Sequence, residues 1–279
     1  MLPAQNNSDE MDNVTLVRVI GVVHKLTGIT MAEHKKPLLQ SRLKKRMREL
    51  QITSYGEYMD YLAKTAGETQ NFINVVTTNE TTFFRTPKVW SFFEKEFLPE
   101  WHKNNPRTML TLWSAASSSG EEAYSLAILC SEFKLKTPGF DFKILATDIS
   151  SAVLAEAEAG EYHDRAVEFF KRAKPELYDR YFSKKDESTH IISSEVKKKV
   201  QFLPHNLFSV KKEQFDIIFL RNVLIYFSSE DQENVLMNVS RSLKINGHLI
   251  IGESESLSRL NTPYHFISAC IYDLRKEGK

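Results

Sequence analysis

Apolar positions recur at helical spacing over residues 14–78 and then give way, from residue 108, to short apolar runs that alternate with helical stretches. Val14, Val17, Ile20, Val23 and Leu26 follow one another at three-residue intervals, close to the period of an amphipathic helix. A second helix over about 33–50 aligns Leu39, Leu43, Met47 and Leu50, and Pro37, which fits best in a first turn, is where that segment can split. Ser54 and Glu57 stand as a capping box for a third helix through Tyr58 and Leu62, which Gly67 ends. Phe72, Ile73, Val75 and Val76 supply a fourth. Pro87, at a first-turn position, opens a further helix expected to stop before Pro99 and to bridge the two halves of the chain.

Beyond it, MLTLW (109–113), FKILATD (142–148), VQFL (200–203), FDIIFL (215–220) and HLIIGES (248–254) read as strands. Helices fall between them: one through Leu126, Leu129 and Phe133, one through Val153 and Leu154 that stops at Gly160, and one from Ser228 through Leu243 closed by Gly247. Residues 266–274 form a β-rich tail. This alternation predicts an α/β fold, an open parallel sheet with helices on both faces. Residues 161–199 interrupt it and suggest a small antiparallel insertion. The expected organisation is a helical domain over 1–78, a linker with the bridging helix over 79–107, and an α/β domain over 108–279.

The 279 residues are 42% hydrophobic and 26% charged, which excludes a small disulfide scaffold and a mostly disordered chain. The formal net charge is +1, so a bulk nucleic-acid binder is not expected and partner electrostatics must come from local clusters. One such cluster exists. Lys35, Lys36, Arg42, Lys44, Lys45, Arg46 and Arg48 lie within residues 34–48, where there is no Asp or Glu. Cys130 and Cys270 have no metal or disulfide spacing and read as buried thiols of a reducing compartment. No secretory leader or membrane-spanning run is visible, and a cytoplasmic protein is expected.

Ligands of open α/β sheets bind beyond the carboxyl ends of the strands, so polar residues after strands are the ones to weigh. The small residues 114–120 after the first strand let backbone approach a ligand, but they lack a dinucleotide fingerprint. Spacing leaves Glu122 open between a capping box with Ser119 and a ligand contact. Asp148, ending the second strand, suits either a ribose or the cap of the next helix. Asn206 and Leu207 follow the third strand and could pair with and cover a flat base, while Arg221 and Asn222 follow the fourth. Phe83, Phe84 and Arg85 in a loop would ordinarily mean packing beside a surface cation.

The order N-x-T-x-F-F-R at 79–85 is more specific than that. With SAASSSGEEAYS (114–125), ATDIS (146–150), LPHNL (203–207), FDIIFLRNVLIYF (215–227) and GESES (252–256), the chain resembles the CheR-type chemotaxis receptor methyltransferases over nearly its whole length. The resemblance implies a class I methyltransferase (Rossmann-like) sheet and S-adenosylmethionine as cofactor, with S-adenosylhomocysteine as product and no metal. It assigns the cofactor to Asn79, Thr81, Arg85, Glu122, Asp148, Asn206, Leu207, Arg221 and Asn222, and the reacting end to Arg85 and Tyr226. The chain departs from the family pattern at Ala123, where proline is common, and in its serines 117–119, for which only altered loop stiffness is expected. The implied reaction is methyl transfer to glutamate side chains of chemoreceptors, by a monomer recruited to membrane receptor arrays without entering the membrane. An ionised glutamate, of ordinary pKa near 4.3, needs no general base, leaving alignment and desolvation as the protein's levers. The helix bearing Arg42, Lys45 and Arg46 is expected to dock the acidic receptor helix, and nucleic acid is not expected there. In some members the insertion holds a receptor tail peptide, for which Lys197, Lys198 and Lys199 are as easily a solvated strand edge. A different carboxylate acceptor, or a non-catalytic module that senses the cofactor, are the competing readings.

Overall fold

A computed structural model describes residues 10–274. The chain forms two compact units, one of residues up to Thr78 together with Tyr226–Ser228, the other of Asn79–Ile225 with the residues from Ser229 onward.

The first unit is helical: α1 (Asn13–Thr27), a short 3-10 turn (Glu33–Lys35), α2 (Lys36–Glu49), α3 (Tyr55–Lys64) and α4 (Glu68–Val76). Asp12 caps α1 by accepting the Thr15 N–H at 2.7 Å, and Ser54 accepts the Glu57 N–H at the start of α3. Only the later part of the row read on α1 reaches the core. Leu16, Val19, Val23 and Thr27 are buried and Ile20 and Leu26 pack beside them, whereas Val14 and Val17 are 82% and 60% exposed. A strict three-residue repeat lags about 60° per step on a helix of 3.6 residues per turn, so its early members rotate into solvent. On α2 the aligned Leu39, Leu43 and Met47 are buried, and Pro37 sits in the first turn after the 3-10 segment.

The second unit opens with α5 (Pro87–Phe92), a π turn (Phe93–Phe97) and α6 (Leu98–Asn104), one continuous helical stretch. The expected stop before Pro99 does not occur. Proline has no N–H and crowds the carbonyl of the preceding turn; the wider π turn just before it accommodates both demands. Then follow β1 (Met109–Ser114), α7 (Glu121–Lys136), β2 (Asp141–Asp148) and α8 (Ser151–Ala159). The insertion comprises β3 (Glu161–His163), α9 (Asp164–Ala173), α10 (Pro175–Tyr181), β4 (Phe182–Lys184), β5 (Thr189–Ile192) and α11 (Ser194–Lys197). The chain closes with β6 (Val200–Pro204), β7 (Phe215–Leu220), a 3-10 turn (Leu224–Tyr226), α12 (Ser229–Ser240), β8 (Leu243–Ile251), β9 (Tyr264–Ser268) and β10 (Ile271–Leu274). Gly247 therefore does not close a helix. α12 ends at Ser240, because Leu243 is already buried against Phe215 in the β7–β8 ladder.

The main sheet runs β6-β2-β1-β7-β8-β10-β9, and the insertion carries a separate antiparallel sheet, β3-β5-β4. The strands from β6 to β8 are parallel, while β10 and β9 are antiparallel. From β1 the chain moves outward to β2 and β6, then returns to β7 on the other side, so the strand order reverses between β1 and β7. Loops leaving adjacent strands in opposite directions open a crevice there.

Candidate functional site at the carboxyl rim of the sheet

Five segments meet at this rim, and hydrogen bonds connect them. The turn after β1 is anchored on both sides, Ala115 N–H to the Phe219 carbonyl at 2.8 Å and Ser117 N–H to the Thr147 carbonyl at 2.9 Å. Gly120, at φ 95°, starts α7 where a Cβ would lie 2.8 Å from that of Ala157, so glycine here serves close packing of helix against helix. No side chain caps α7, and the Ser119 hydroxyl bonds Glu121 instead. Glu122 is thus not in a capping box. Its carboxylate accepts the Ser114 hydroxyl at 2.7 Å and Arg221 Nη1 at 2.9 Å. Arg221 Nη2 donates in turn to the Arg85 carbonyl at 3.0 Å.

Asp148 joins the other half of the rim. Its Oδ1 accepts the N–H of Ser150, the residue preceding α8, at 3.0 Å, and its Oδ2 accepts that of Ser118 at 2.9 Å. Burial pushes its carboxyl up, with these N–H groups pulling the other way. The Ser118 hydroxyl reaches the Asn79 carbonyl at 2.7 Å, and His205 N–H bonds the Asp148 carbonyl at 3.0 Å, bringing in the turn with Asn206 and Leu207. Phe83 and Phe84 are buried and do pack: Phe83 lies against Tyr162, Phe170 and Phe182 of the insertion. Arg85 is exposed, and Thr81 is half-buried. Three buried polar atoms on loops at this rim have no protein partner: Ser117 Oγ, His205 Nε2 and Arg221 Nε.

Residues 79–272 match the CheR methyltransferase SAM-binding domain and residues 15–77 the CheR methyltransferase all-alpha domain. The chain is 33% identical to a chemotaxis protein methyltransferase of Pseudomonas putida, over 88% of this chain and 91% of that protein. It is 35% identical to one of Pseudomonas aeruginosa, with the same two shares. It is 34% identical to one of Borreliella burgdorferi, over 96% and 98%. The chain belongs to the CheR methyltransferase family. It carries out S-adenosylmethionine-dependent methylation in chemotaxis.

The rim of this CheR methyltransferase fits that cofactor on its own chemistry. Ser117 Oγ, His205 Nε2 and Arg221 Nε can each take a polar partner there, and an unmade bond to such a buried group costs about 1–3 kcal/mol. Glu122 spends one bond on each oxygen, and a carboxylate offers about four lone-pair sites, so acceptor capacity is left for an ammonium. The serines of the β1–α7 turn do more than set stiffness. Ser114 orients Glu122 and Ser118 ties Asp148 to Asn79. Sequence reasoning missed both, because a serine-rich loop reads as merely small.

Within the helical unit, Tyr226 ends its 3-10 turn with its carbonyl accepting the Thr30 N–H at 2.8 Å. The three cations expected to dock a partner differ. Lys45 is exposed. Arg42 is half-buried and donates to the Val76 carbonyl and the Thr78 hydroxyl, burial lowering its pKa. Arg46 grips both oxygens of Glu68, at 2.9 and 2.7 Å, and also bonds Glu49. Of the insertion lysines, Lys197 bonds the Ala159 carbonyl, Lys199 pairs with Asp141 at 2.9 Å, and Lys198 is exposed. No helix among the described residues is long and apolar enough to cross a membrane.

Proposed function

We propose that the protein methylates glutamate side chains on the acidic helices of chemoreceptors, forming glutamate methyl esters. The observation that carries the site assignment is a pair of hydrogen-bonded clusters on either side of the β1–α7 turn, Asn79 with Ser118 and Asp148, and Ser114 with Glu122 and Arg221. S-adenosylmethionine, when bound, supplies a methyl group on a cationic sulfur and leaves as S-adenosylhomocysteine. Asp148 has lone pairs left for the ribose hydroxyls, and Asn206 and Leu207 pair with and cover the adenine. Glu122 and Arg221, with Asn79, Thr81 and Asn222, hold the amino-acid end. Arg85 and Tyr226 orient the reacting groups. The acceptor carboxylate is already ionised at neutral pH, so the protein needs to desolvate and align it, and alignment alone is worth roughly 7–11 kcal/mol.

The acceptor helix docks on the cationic face of α2. Lys45 supplies free charge there, while Arg42 and Arg46 hold the helix in place. A CheR methyltransferase of this kind works beside membrane receptors without inserting, and as a monomer. Incubation with methyl-labelled cofactor and acidic receptor fragments should give base-labile label released as methanol. Tight cofactor binding with no such ester from any receptor fragment would overturn the glutamate assignment.

A further inference from the structure

Glu255 belongs to the GESES segment and has no part in the contacts above, yet its carboxylate gathers the turn that follows β7. Oε2 accepts the N–H of Asn222 at 3.0 Å and that of Gly252 at 2.6 Å, while Oε1 accepts the N–H of Leu224 at 2.8 Å. Asn222 sits at φ 58°, a left-handed conformation that asparagine tolerates better than most residues other than glycine, and the Glu255 bonds to its N–H and to that of Leu224 fix the turn on both sides of it. Gly252 closes the bracket from the other side. A Cβ there would stand 2.7 Å from Asn222 Nδ2 and 2.8 Å from Glu255 Oε2, so any other residue would push the Asn222 amide or the Glu255 carboxylate aside.

We propose that Glu255 is a positioning residue for the cofactor pocket, holding Asn222 and the adjoining Arg221 in place with Gly252 as the opposing jaw. The inference rests on the reading that Arg221 and Asn222 line that pocket. A carboxylate is required, because all three partners are donors. Glutamine would turn its amide N–H toward one of them, and aspartate is one methylene too short to span both sides of the turn. The three N–H groups are all backbone, so the effect on the site passes through where the turn puts Arg221 and Asn222. Arg221 has no slack to absorb a shift, since its two terminal nitrogens already bond Glu122 and the Arg85 carbonyl.

The test compares Glu255→Gln, Gly252→Ala and Asp148→Asn in the full chain, measuring S-adenosylhomocysteine affinity by calorimetry, steady-state kinetics and melting temperature. Glu255→Gln and Gly252→Ala should each weaken S-adenosylhomocysteine by about tenfold, the equivalent of about 1.4 kcal/mol. The cofactor KM should rise with it, while the acceptor KM stays within about twofold. A lowered melting temperature with unchanged affinity and KM, measured well below the transition, would make Glu255 a structural staple and overturn the proposal. Should Glu255→Gln fail to fold, Gly252→Ala decides, since a Cβ there crowds both the Asn222 amide and the Glu255 carboxylate without removing either group. If Asp148→Asn weakens binding and neither bracket variant does, the proposal falls and the pocket reading stands. If none of the three weakens it, the pocket reading falls and takes the proposal with it.

Discussion

Glu122 and Arg221 stand 99 positions apart in the chain and meet at 2.9 Å, with side chains 11% and 3% exposed. A buried pair of this kind is costly to break from one side, because the survivor keeps its charge without its partner. Glu122→Ala should therefore weaken S-adenosylhomocysteine by at least about tenfold, and Arg221→Ala as well. Added together, the two single losses should exceed the double-variant loss by about 1–3 kcal/mol in a calorimetric cycle. Arg85 is the opposite case. Its guanidinium is exposed and makes one long contact, 3.4 Å to the Glu80 carbonyl, so Arg85→Ala should leave the melting temperature almost unmoved. Turnover should nevertheless collapse; near-normal turnover would remove Arg85 from the reacting end. Glu122 shows how far spacing reaches. Ser119 three residues before it made a capping box plausible, but Gly120 is the residue that precedes α7, Ser119 bonds Glu121, and Glu122 turns to Ser114 and the distant Arg221.

Among the elements, α2 and α4 are joined by a polar staple. The Glu68 carboxylate accepts Nε and Nη2 of Arg46, the Tyr58 hydroxyl at 2.9 Å and Asn71 at 3.1 Å. Burial by itself would raise its pKa, but these donors outweigh burial and the net direction is down. A carboxyl that ionises more readily folded than unfolded adds stability that is complete above its ordinary 4.5 and disappears as pH falls through the lowered folded value. Glu68→Gln should accordingly lower the melting temperature at neutral pH and flatten the acid limb of the stability profile. Equal acid sensitivity in both proteins would contradict the assignment. Phe83 links the 79–85 loop to the insertion through three aromatic contacts, so Phe83→Ala should cost about 3–5 kcal/mol, read from urea unfolding. Its packing role was legible from the sequence. The π turn that carries the helix through Pro99 was not, since backbone hydrogen-bond register leaves no mark in composition.

For the molecule as a whole, the near-zero net charge conceals a helix that bears only cations over most of its length. Docking an acidic receptor helix on α2 should make the acceptor KM rise with ionic strength, since the Debye length is about 10 Å at 0.1 M salt. Lys45→Glu with Arg48→Glu should raise that KM and reduce its salt dependence, leaving cofactor affinity unchanged. Both side chains are exposed, so the variant tests charge without disturbing the fold. Reversing Arg42 or Arg46 would instead strip Thr78 or Glu68 of a partner and confuse docking with stability. An acceptor KM indifferent to both salt and charge reversal would move docking elsewhere.

From its residues alone the chain determined the alternation of strands and helices, the antiparallel insertion and the segments that carry polar groups past the strand ends, because periodicity and local turn chemistry act over a few neighbours. Only the tertiary structure decided which face of α1 is buried, that Glu122 pairs with Arg221 and not Ser119, that Arg46 is committed to Glu68, and that Glu255 holds the turn after β7. Each of these is a choice between partners. It depends on which groups the sheet order and helix packing bring within about 3 Å, and separations of 22 to 99 residues leave no trace in local pattern.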